Sequence, residues 1–196
     1  MNNYNDYKEY SVKIYDVSMA MGVLSWDQET KMPKNGNKFR AQQLSTLAKI
    51  RFELFTNNKY GELLEKLFND NSLSFDEKRN VTLSRKDYLK RKKYSTEFIG
   101  RESKLISNAF SDWRIAKEKN DFKLFKNSLE KLVELRKEEC EITGYINHPY
   151  DSLLDKYEPN LTTKDVDLIF DDVKNQLVPF INKISQNNDI DDSFFY

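Results

Sequence analysis

Residues 24–33 form the densest run of chemically capable side chains, with the sequence LSWDQETKMP. Trp26 is one of only two tryptophans, and the carboxylates of Asp27 and Glu29 stand close to it. Two interpretations are open. In the structural one, Trp26 fills a core at a helix end while Asp27 and Thr30 fix the following turn; in the functional one, the carboxylates line a cleft. Two acids next to a tryptophan are common, so spacing alone favours the structural interpretation.

The chain holds one histidine and one cysteine, which limits its metal and nucleophile chemistry. A zinc site takes three or four ligands from cysteine, histidine and carboxylate side chains, and the sequence contains no His-Glu-x-x-His motif. His148 precedes a proline and is predicted to hydrogen-bond within an ordered loop. Cys140 stands among Glu138, Glu139 and Glu141, whose negative charges disfavour the thiolate. We therefore predict no catalytic residue, no metal site and no cofactor in this chain.

A basic run on one predicted helix is the candidate nucleic-acid surface, because basic clusters with aromatics are typical of such surfaces. The chain, however, carries 32 lysines and arginines against 32 aspartates and glutamates, so no global field attracts a polyanion. We predict a solvated helix face and no nucleic-acid partner. The run comprises Arg85, Lys86, Lys90, Arg91, Lys92 and Lys93, with Tyr88 and Tyr94 beside them.

The amino-acid composition indicates which kind of secondary structure positions the side chains discussed above. At 196 residues the chain can form one domain or one large piece of a bigger fold. Apolar residues are 38% and charged residues 33%, which predicts a thin core between long amphipathic helices. The 5 glycines and 4 prolines are too few for an all-β sandwich. One cysteine fits a reducing compartment, and no apolar run reaches ~18 residues, so we expect the cytoplasm and no membrane partner.

Apolar residues recur at spacings of three and four, which predicts an all-α fold, an irregular antiparallel bundle of about seven helices. Asn37 and Ser95 are predicted N-caps, Ser74 with Glu77 matches a capping box, and Gly144 is predicted to follow the sixth helix. The predicted helices cover residues 2–24, from 37 to 56, 60–68, 74–94, from 95 to 119, 122–143 and from 162 onward, with an ordered connection over 145–161.

Several stretches resemble, in order, the N-terminal end of the Taq-type zinc carboxypeptidase family. The first is the run at 24–33, followed by RAQQLSTLAKI at 40–50 and LFTNNKYGELLEKL at 54–67. The resemblance continues with WRIA at 113–116 and NDF at 120–122, then HPYDSLLD at 148–155 and YEP at 157–159. It extends from about residue 18 to residue 196, which is essentially the whole chain.

The resemblance implies that residues 1–196 are the N-terminal helical portion of a larger metallocarboxypeptidase-like fold, without its catalytic portion. Family members are cytosolic homodimers that release C-terminal amino acids from peptides. Their zinc is held by the histidines of His-Glu-x-x-His, whose glutamate is the general base. In the family this motif, the third zinc ligand and the substrate-carboxylate binders lie beyond the region that this chain resembles.

The same resemblance implies that these helices form part of the cleft wall and cover, and that the chain alone binds no zinc and is inactive. The alternative is a non-enzymatic helical protein-interaction module. No substrate-binding role passes to a named position. The signature positions whose roles stay open are Trp26, Asp27, Gln28, Glu29, Thr30, Met32, Pro33, Arg40, Trp113, Pro149, Tyr150, Tyr157, Glu158 and Pro159.

The last predicted helix is the candidate partner surface. Pro179 lies inside its apolar repeat, and an interior proline predicts a kink there. A large exposed apolar patch is rare on a monomer, so we expect this surface to bind the missing catalytic portion or a second copy in a homodimer. The apolar set comprises Ile169, Phe170, Val173, Leu177 and Phe180, followed at the chain end by Phe194, Phe195 and Tyr196.

Overall fold

The computed structural model describes residues 3–186 and residue 193. Within these residues the fold is all-α, as predicted, and the chain-end aromatics at 194–196 lie outside them. Over residues 3–186 and 193, one more α-helix forms than the roughly seven predicted, because the short α7 lies inside the connection at 145–161. The helices are α1 (Asn3–Thr30), α2 (Asn37–Phe55), α3 (Asn58–Phe68), α4 (Phe75–Arg91), α5 (Thr96–Lys119), α6 (Lys123–Thr143), α7 (Pro149–Leu154) and α8 (Thr163–Ser185).

The chain divides into two compact units, a first unit of Met1–Thr143 and a second unit of Gly144–Tyr196. In the first unit α2 packs against both α1 and α5, and α6 also packs against α5. Helices α3 and α4 pair with each other, and α1 also contacts α3. The pair α2 and α5 is therefore the centre of the first unit.

One core cluster of the first unit joins α1, α3 and α4 and is built from tyrosines. The ring of Tyr60 is buried, and its centroid lies 4.8 Å from that of Tyr10, 6.4 Å from that of Tyr7 and 6.3 Å from that of Tyr88. The Tyr7 and Ser84 hydroxyls share a hydrogen bond of 2.8 Å, which satisfies them away from water. Tyrosine rings thus fill this core together with the buried aliphatic side chains of Leu64, Leu67 and Val81.

A second cluster joins α2, α5 and α6. The Ser45 hydroxyl donates to the Gly100 carbonyl oxygen at 2.7 Å, which ties α2 to the first turns of α5. The nearest atoms that a Cβ at Gly100 would meet are those of the flexible, exposed Lys49 side chain, which can move aside. The buried members are Ala48, Phe52, Phe98, Ile99 and Leu135.

Most helix ends follow their sequence signals. Both hydrogen bonds of the Ser74–Glu77 capping box are present at α4. The Ser95 hydroxyl accepts from the Phe98 N–H at 3.1 Å and caps α5. Gly144 follows α6 with φ +78°, a left-handed conformation that glycine adopts without a Cβ penalty. These three predictions are confirmed.

The prediction of Asn37 as an N-cap is wrong. Asn37 is already the first residue of α2, and the preceding Gly36 makes no side-chain cap. The reason is a 3-10 turn over Lys34–Gly36 that leads directly into the helix, so the backbone is helical before Asn37 is reached. The Asn37 side chain instead donates from Nδ2 to Oδ1 of Asn108 on α5 at 3.2 Å.

The second unit begins with a capped turn. Nδ1 of His148 accepts from the Tyr150 N–H at 3.1 Å, so His148 is the N-cap of α7, and its predicted local hydrogen bond is confirmed. A carboxylate oxygen of Asp151 accepts from the Thr163 N–H at 2.7 Å, where α8 begins. This backbone hydrogen bond holds the pKa of Asp151 below its usual value.

Helix α8 starts at a Thr162–Asp165 capping box and is continuous to Ser185. Pro179 lies inside it, while the predicted kink at this proline stays a prediction. None of its residues is buried, and the predicted apolar set on it is exposed. We call this set, Ile169, Phe170, Val173, Leu177 and Phe180, the α8 face.

Candidate functional site

The signature run at 24–33 is the C-terminal end of α1 and the turn after it. The helix extends to Thr30 rather than to residue 24, because the Met32–Pro33 pair, and not an earlier signal, stops it. The Thr30 hydroxyl donates to the Trp26 carbonyl oxygen at 2.7 Å, and the Lys31 and Met32 N–H groups both donate to the Asp27 carbonyl oxygen. The last turn is thus closed by hydrogen bonds of its own.

Arg40 of α2 holds this end of α1 in place. Its Nη2 lies 2.6 Å from Oδ2 of Asp27, and its Nη1 donates to the Leu24 carbonyl oxygen. The Arg40 side chain is only 13% exposed and that of Asp27 is 35% exposed, so the pair is partly shielded from solvent. Because one guanidinium binds both a carboxylate and a helix-end carbonyl, Arg40 holds the last turn of α1 against α2.

Gln28 makes the second attachment. Its side chain is buried, and its Oε1 accepts from the Ser107 hydroxyl of α5 at 2.8 Å. Both partners are shielded, so removing either would leave a buried polar group unsatisfied. The signature run is therefore fastened to α2 by Arg40 and to α5 by Gln28.

The expectation that Trp26 fills a core is wrong, because its side chain is 60% exposed. The inward face of α1 follows a three-four repeat that places Gln28, not Trp26, toward α5. Trp26 belongs instead to an exposed apolar row that we call the α1 stripe. Its members are Val12, Tyr15, Met19, Val23 and Trp26, each at least half exposed.

Glu29 is exposed and reaches the edge of a cavity of about 360 Å³ bounded by α1, α2 and α5. Arg51 of α2 and Arg91 at the end of α4 line the same cavity. Burial, and secondly the charge of Arg91, lower the pKa of Arg51. Arg51 was not among the residues predicted from the sequence, although it continues the inward spacing of Leu44 and Ala48 along α2.

A charge network fixes α6 against α5. Nη1 of Arg136 lies 2.6 Å from Oε1 of Glu102 and 2.6 Å from Oε2 of Glu139. The Tyr94 hydroxyl donates to Oε1 of Glu139 at 2.9 Å, and the Glu139 side chain is only 3% exposed. Burial and the Glu139 charge raise the pKa of Tyr94, which stays a donor. The i, i+3 spacing of Arg136 and Glu139 was the sequence signal for this network.

Part of the basic run on α4 is engaged within the first unit. Nε of Arg85 lies 2.8 Å from Oε1 of Glu65, and Nζ of Lys92 donates to Oδ1 of Asn58 at 2.5 Å. Nζ of Lys93 donates to the Thr143 carbonyl oxygen at 2.6 Å. Tyr88 is buried and is not available to stack on a base. These contacts favour the helix-face interpretation.

The other signature positions lie apart from this cluster in the chain. Trp113 on α5 is 41% exposed and packs against Phe110 in a tilted arrangement, with ring centroids 5.9 Å apart. Pro149 is an early residue of α7, and Tyr150 follows it. The exposed positions after α7 are Tyr157, Glu158 and Pro159.

The residues that the structure describes do not form a zinc centre. Over residues 3–186 and 193, no three histidine, cysteine, aspartate or glutamate side chains gather as metal ligands would. His148 uses Nδ1 as a helix cap, and Cys140 is buried on α6. Within the same described residues, no helix is long and apolar enough to cross a membrane.

Comparison with known proteins identifies the class of this fold. The model of the family described as carboxypeptidase Taq (M32) metallopeptidase matches residues 6–195. Carboxypeptidase 1 of Bacillus subtilis is 34% identical over 184 residues, which are 93% of this chain and 37% of that protein. Thermostable carboxypeptidase 1 of Pyrococcus furiosus is 33% identical over 178 residues, 91% of this chain and 36% of that protein.

Solved structures agree with the sequence comparison. The crystal structure of BsuCP superposes with a TM-score of 0.93 at 32% identity, over 96% of this chain and 38% of that one. A structure of Pyrococcus furiosus carboxypeptidase gives a TM-score of 0.76 at 31% identity, over 95% of this chain and 37% of that one. The chain belongs to the M32 metallocarboxypeptidase family, and it spans a little over a third of the length of these relatives.

Proposed function

We propose that this chain is the N-terminal helical portion of a zinc-dependent carboxypeptidase that releases C-terminal amino acids from peptides. The observation that carries the proposal is the M32 match over residues 6–195 in a chain that spans about 37% of its relatives' length. The chain forms part of the wall of the peptide cleft and is inactive alone. The peptide is a substrate of the complete enzyme only, and that enzyme works in the cytoplasm.

The attachment of the C-terminal end of α1 to α2 and α5 supports a function of this segment as part of the cleft wall. Arg40 and Gln28 attach it to α2 and α5, and such double attachment holds a surface rigid while Trp26 and Glu29 remain exposed. A cleft wall needs this combination, because a substrate is positioned by side chains whose own supports do not move. The signature positions from 26 to 33 contribute to binding by holding this wall, and none of them is a catalytic residue.

Zinc is bound by ligands outside this chain. The described residues offer no ligand set, so no step of peptide hydrolysis is assigned to a side chain here. In the complete enzyme, ligands outside the described residues would hold the metal, which would supply the activation of water.

The partner surface is the α8 face. Its five apolar side chains are each at least 47% exposed, and they lie on a helix none of whose residues is buried. Covering such a patch removes apolar area from water and favours association. The remaining portion of the fold covers it, and a second copy of the complete enzyme completes a homodimer.

Co-expression tests this proposal. The chain is expressed with the remainder of Bacillus subtilis carboxypeptidase 1, the part that follows the region matched here, and with each piece alone as a control. The pair is expected to co-purify, to contain zinc and to release C-terminal amino acids in a chelator-sensitive reaction. Zinc bound to the chain alone, or peptide cleavage by it, would contradict the proposal that it is inactive.

A matched pair of variants locates the surface. Phe170→Glu places a charge on the α8 face and is expected to abolish co-purification, whereas Asn175→Glu adds the same charge on the same helix outside the apolar set and is expected to leave it intact. If both variants bind equally, the α8 face is not the partner surface. A chain that ignores the added portion but captures other proteins through α8 would favour the interaction-module alternative.

A further inference from the structure

The cavity between α1, α2 and α5 has the composition of a ligand site. Its volume of about 360 Å³ falls within the usual range of small-molecule pockets, which are mostly apolar with a few convergent polar groups. Arg51 and Arg91 are the cationic side chains that line it. Its apolar lining comprises Met21, Leu44, Ala48, Ile99, Ile106 and Phe110.

Arg51 is the unusual group in this cavity. Its side chain is half-buried, and its guanidinium makes no hydrogen bond or ion pair with any residue that the structure describes. Burial and the neighbouring charge of Arg91 lower its pKa, so both effects act against the charged form. A shielded guanidinium beside a second one is stabilised by an anion that accepts from both.

The acidic side chains nearby do not supply that anion. Glu29 and Glu102 line the cavity, and Asp87 lines an adjoining one of about 190 Å³ that Arg51 and Arg91 share. Glu102 attracts Arg51 at longer range but gives its hydrogen bond to Arg136 at 2.6 Å. Glu29 and Asp87 are both exposed to solvent.

We propose that this cavity binds a small carboxylate that has an apolar group next to it, such as an N-acylated apolar amino acid. The carboxylate accepts hydrogen bonds from Arg51 and Arg91, and the apolar group packs on the side chains of α1 and α5. The site uses only residues of the first unit. It depends neither on zinc nor on the peptidase function proposed above, so the two proposals can fail separately.

Equilibrium dialysis and NMR titration of this chain test the site. The probes are N-acetyl-leucine, its amide, which keeps the apolar group but loses the charge, and inorganic sulfate. N-acetyl-leucine is expected to bind about tenfold or more tightly than the amide, as one charge-assisted interaction provides. It is also expected to bind more tightly than sulfate, and added salt is expected to weaken it.

Arginine variants test whether Arg51 binds the carboxylate. Arg51→Met is expected to reduce N-acetyl-leucine binding about tenfold or more, while Arg79→Met, which removes an exposed arginine of α4 away from the cavity, is expected to leave it unchanged. If far-UV circular dichroism shows that Arg51→Met does not fold, Arg91→Met provides the same test, because Arg91 is exposed.

Three results would overturn the proposal. They are equal binding of the acid and its amide, equal effects of the cavity variant and Arg79→Met, and sulfate binding as tight as that of N-acetyl-leucine. A fourth arm uses the amidated peptide N-acetyl-Leu-Glu-Leu-amide. If it binds and N-acetyl-leucine does not, the cavity takes an acidic side chain of a protein segment rather than a small carboxylate.

Discussion

Replacing Arg136 with methionine is expected to reduce the free energy of unfolding of the first unit by about 3 kcal/mol. The Glu139 side chain is 3% exposed, and its Oε2 lies 2.6 Å from Nη1 of Arg136. Removing one partner of a buried ion pair costs roughly 3–5 kcal/mol, since the remaining charge loses the attraction that offset its burial. We expect the lower end of this range, because the Arg136 side chain is 34% exposed and solvent already screens it in part.

Urea unfolding followed by tryptophan fluorescence measures this effect. Trp26 and Trp113 both lie in the first unit, so the signal reports the unit that contains the network. Adding Glu139→Gln to Arg136→Met is expected to recover at least half of the loss, because glutamine carries no charge and still accepts from Tyr94.

Lys137→Met is the matched control for the network. Lys137 is the next residue of α6 and pairs with Glu134 at 2.8 Å, with both side chains about 70% exposed. Such exposed pairs contribute roughly 0–1 kcal/mol. If Arg136→Met and Lys137→Met had the same small effect, Glu139 would not need a cation, and the account of the α5–α6 contact would be refuted.

Three further outcomes are expected in the same denaturation assay. Trp26→Ala should change the free energy of unfolding by about 0.5 kcal/mol or less, since the side chain is exposed, and a loss near 3 kcal/mol would mean that it is buried. Gly61→Ala should destabilise by about 1–3 kcal/mol, because its Cβ would clash with the hydroxyl and ring of the buried Tyr88. Gly22→Ala has open space and should stabilise the helix by roughly 0.5–1 kcal/mol. Burial raises the pKa of Tyr94. The stability that the protonated Tyr94 hydroxyl contributes is therefore fully present below the unfolded-state pKa of about 10 and falls as pH rises above it. Tyr94→Phe should reduce this loss of stability at alkaline pH.

The helix ends were predictable from sequence because each depends on a few neighbouring residues. The Ser74–Glu77 box needs only a hydroxyl and a carboxylate three residues apart, and both of its hydrogen bonds form. Gly144 needs only the absence of a Cβ at a positive φ. The prediction that Asn37 caps α2 was wrong for an equally local reason, because the 3-10 turn before Asn37 makes a cap unnecessary.

The environment of individual side chains depended on tertiary packing. A helical repeat defines a face, but only the neighbouring helix decides whether that face is covered, and so Gln28 is buried while Trp26 is exposed. Arg51 and Arg91 are 40 positions apart in the chain and come to one cavity only because α2 and the end of α4 converge there. Local sequence determines where helices start and stop, whereas the charges and cavities between them arise from contacts between residues distant in sequence.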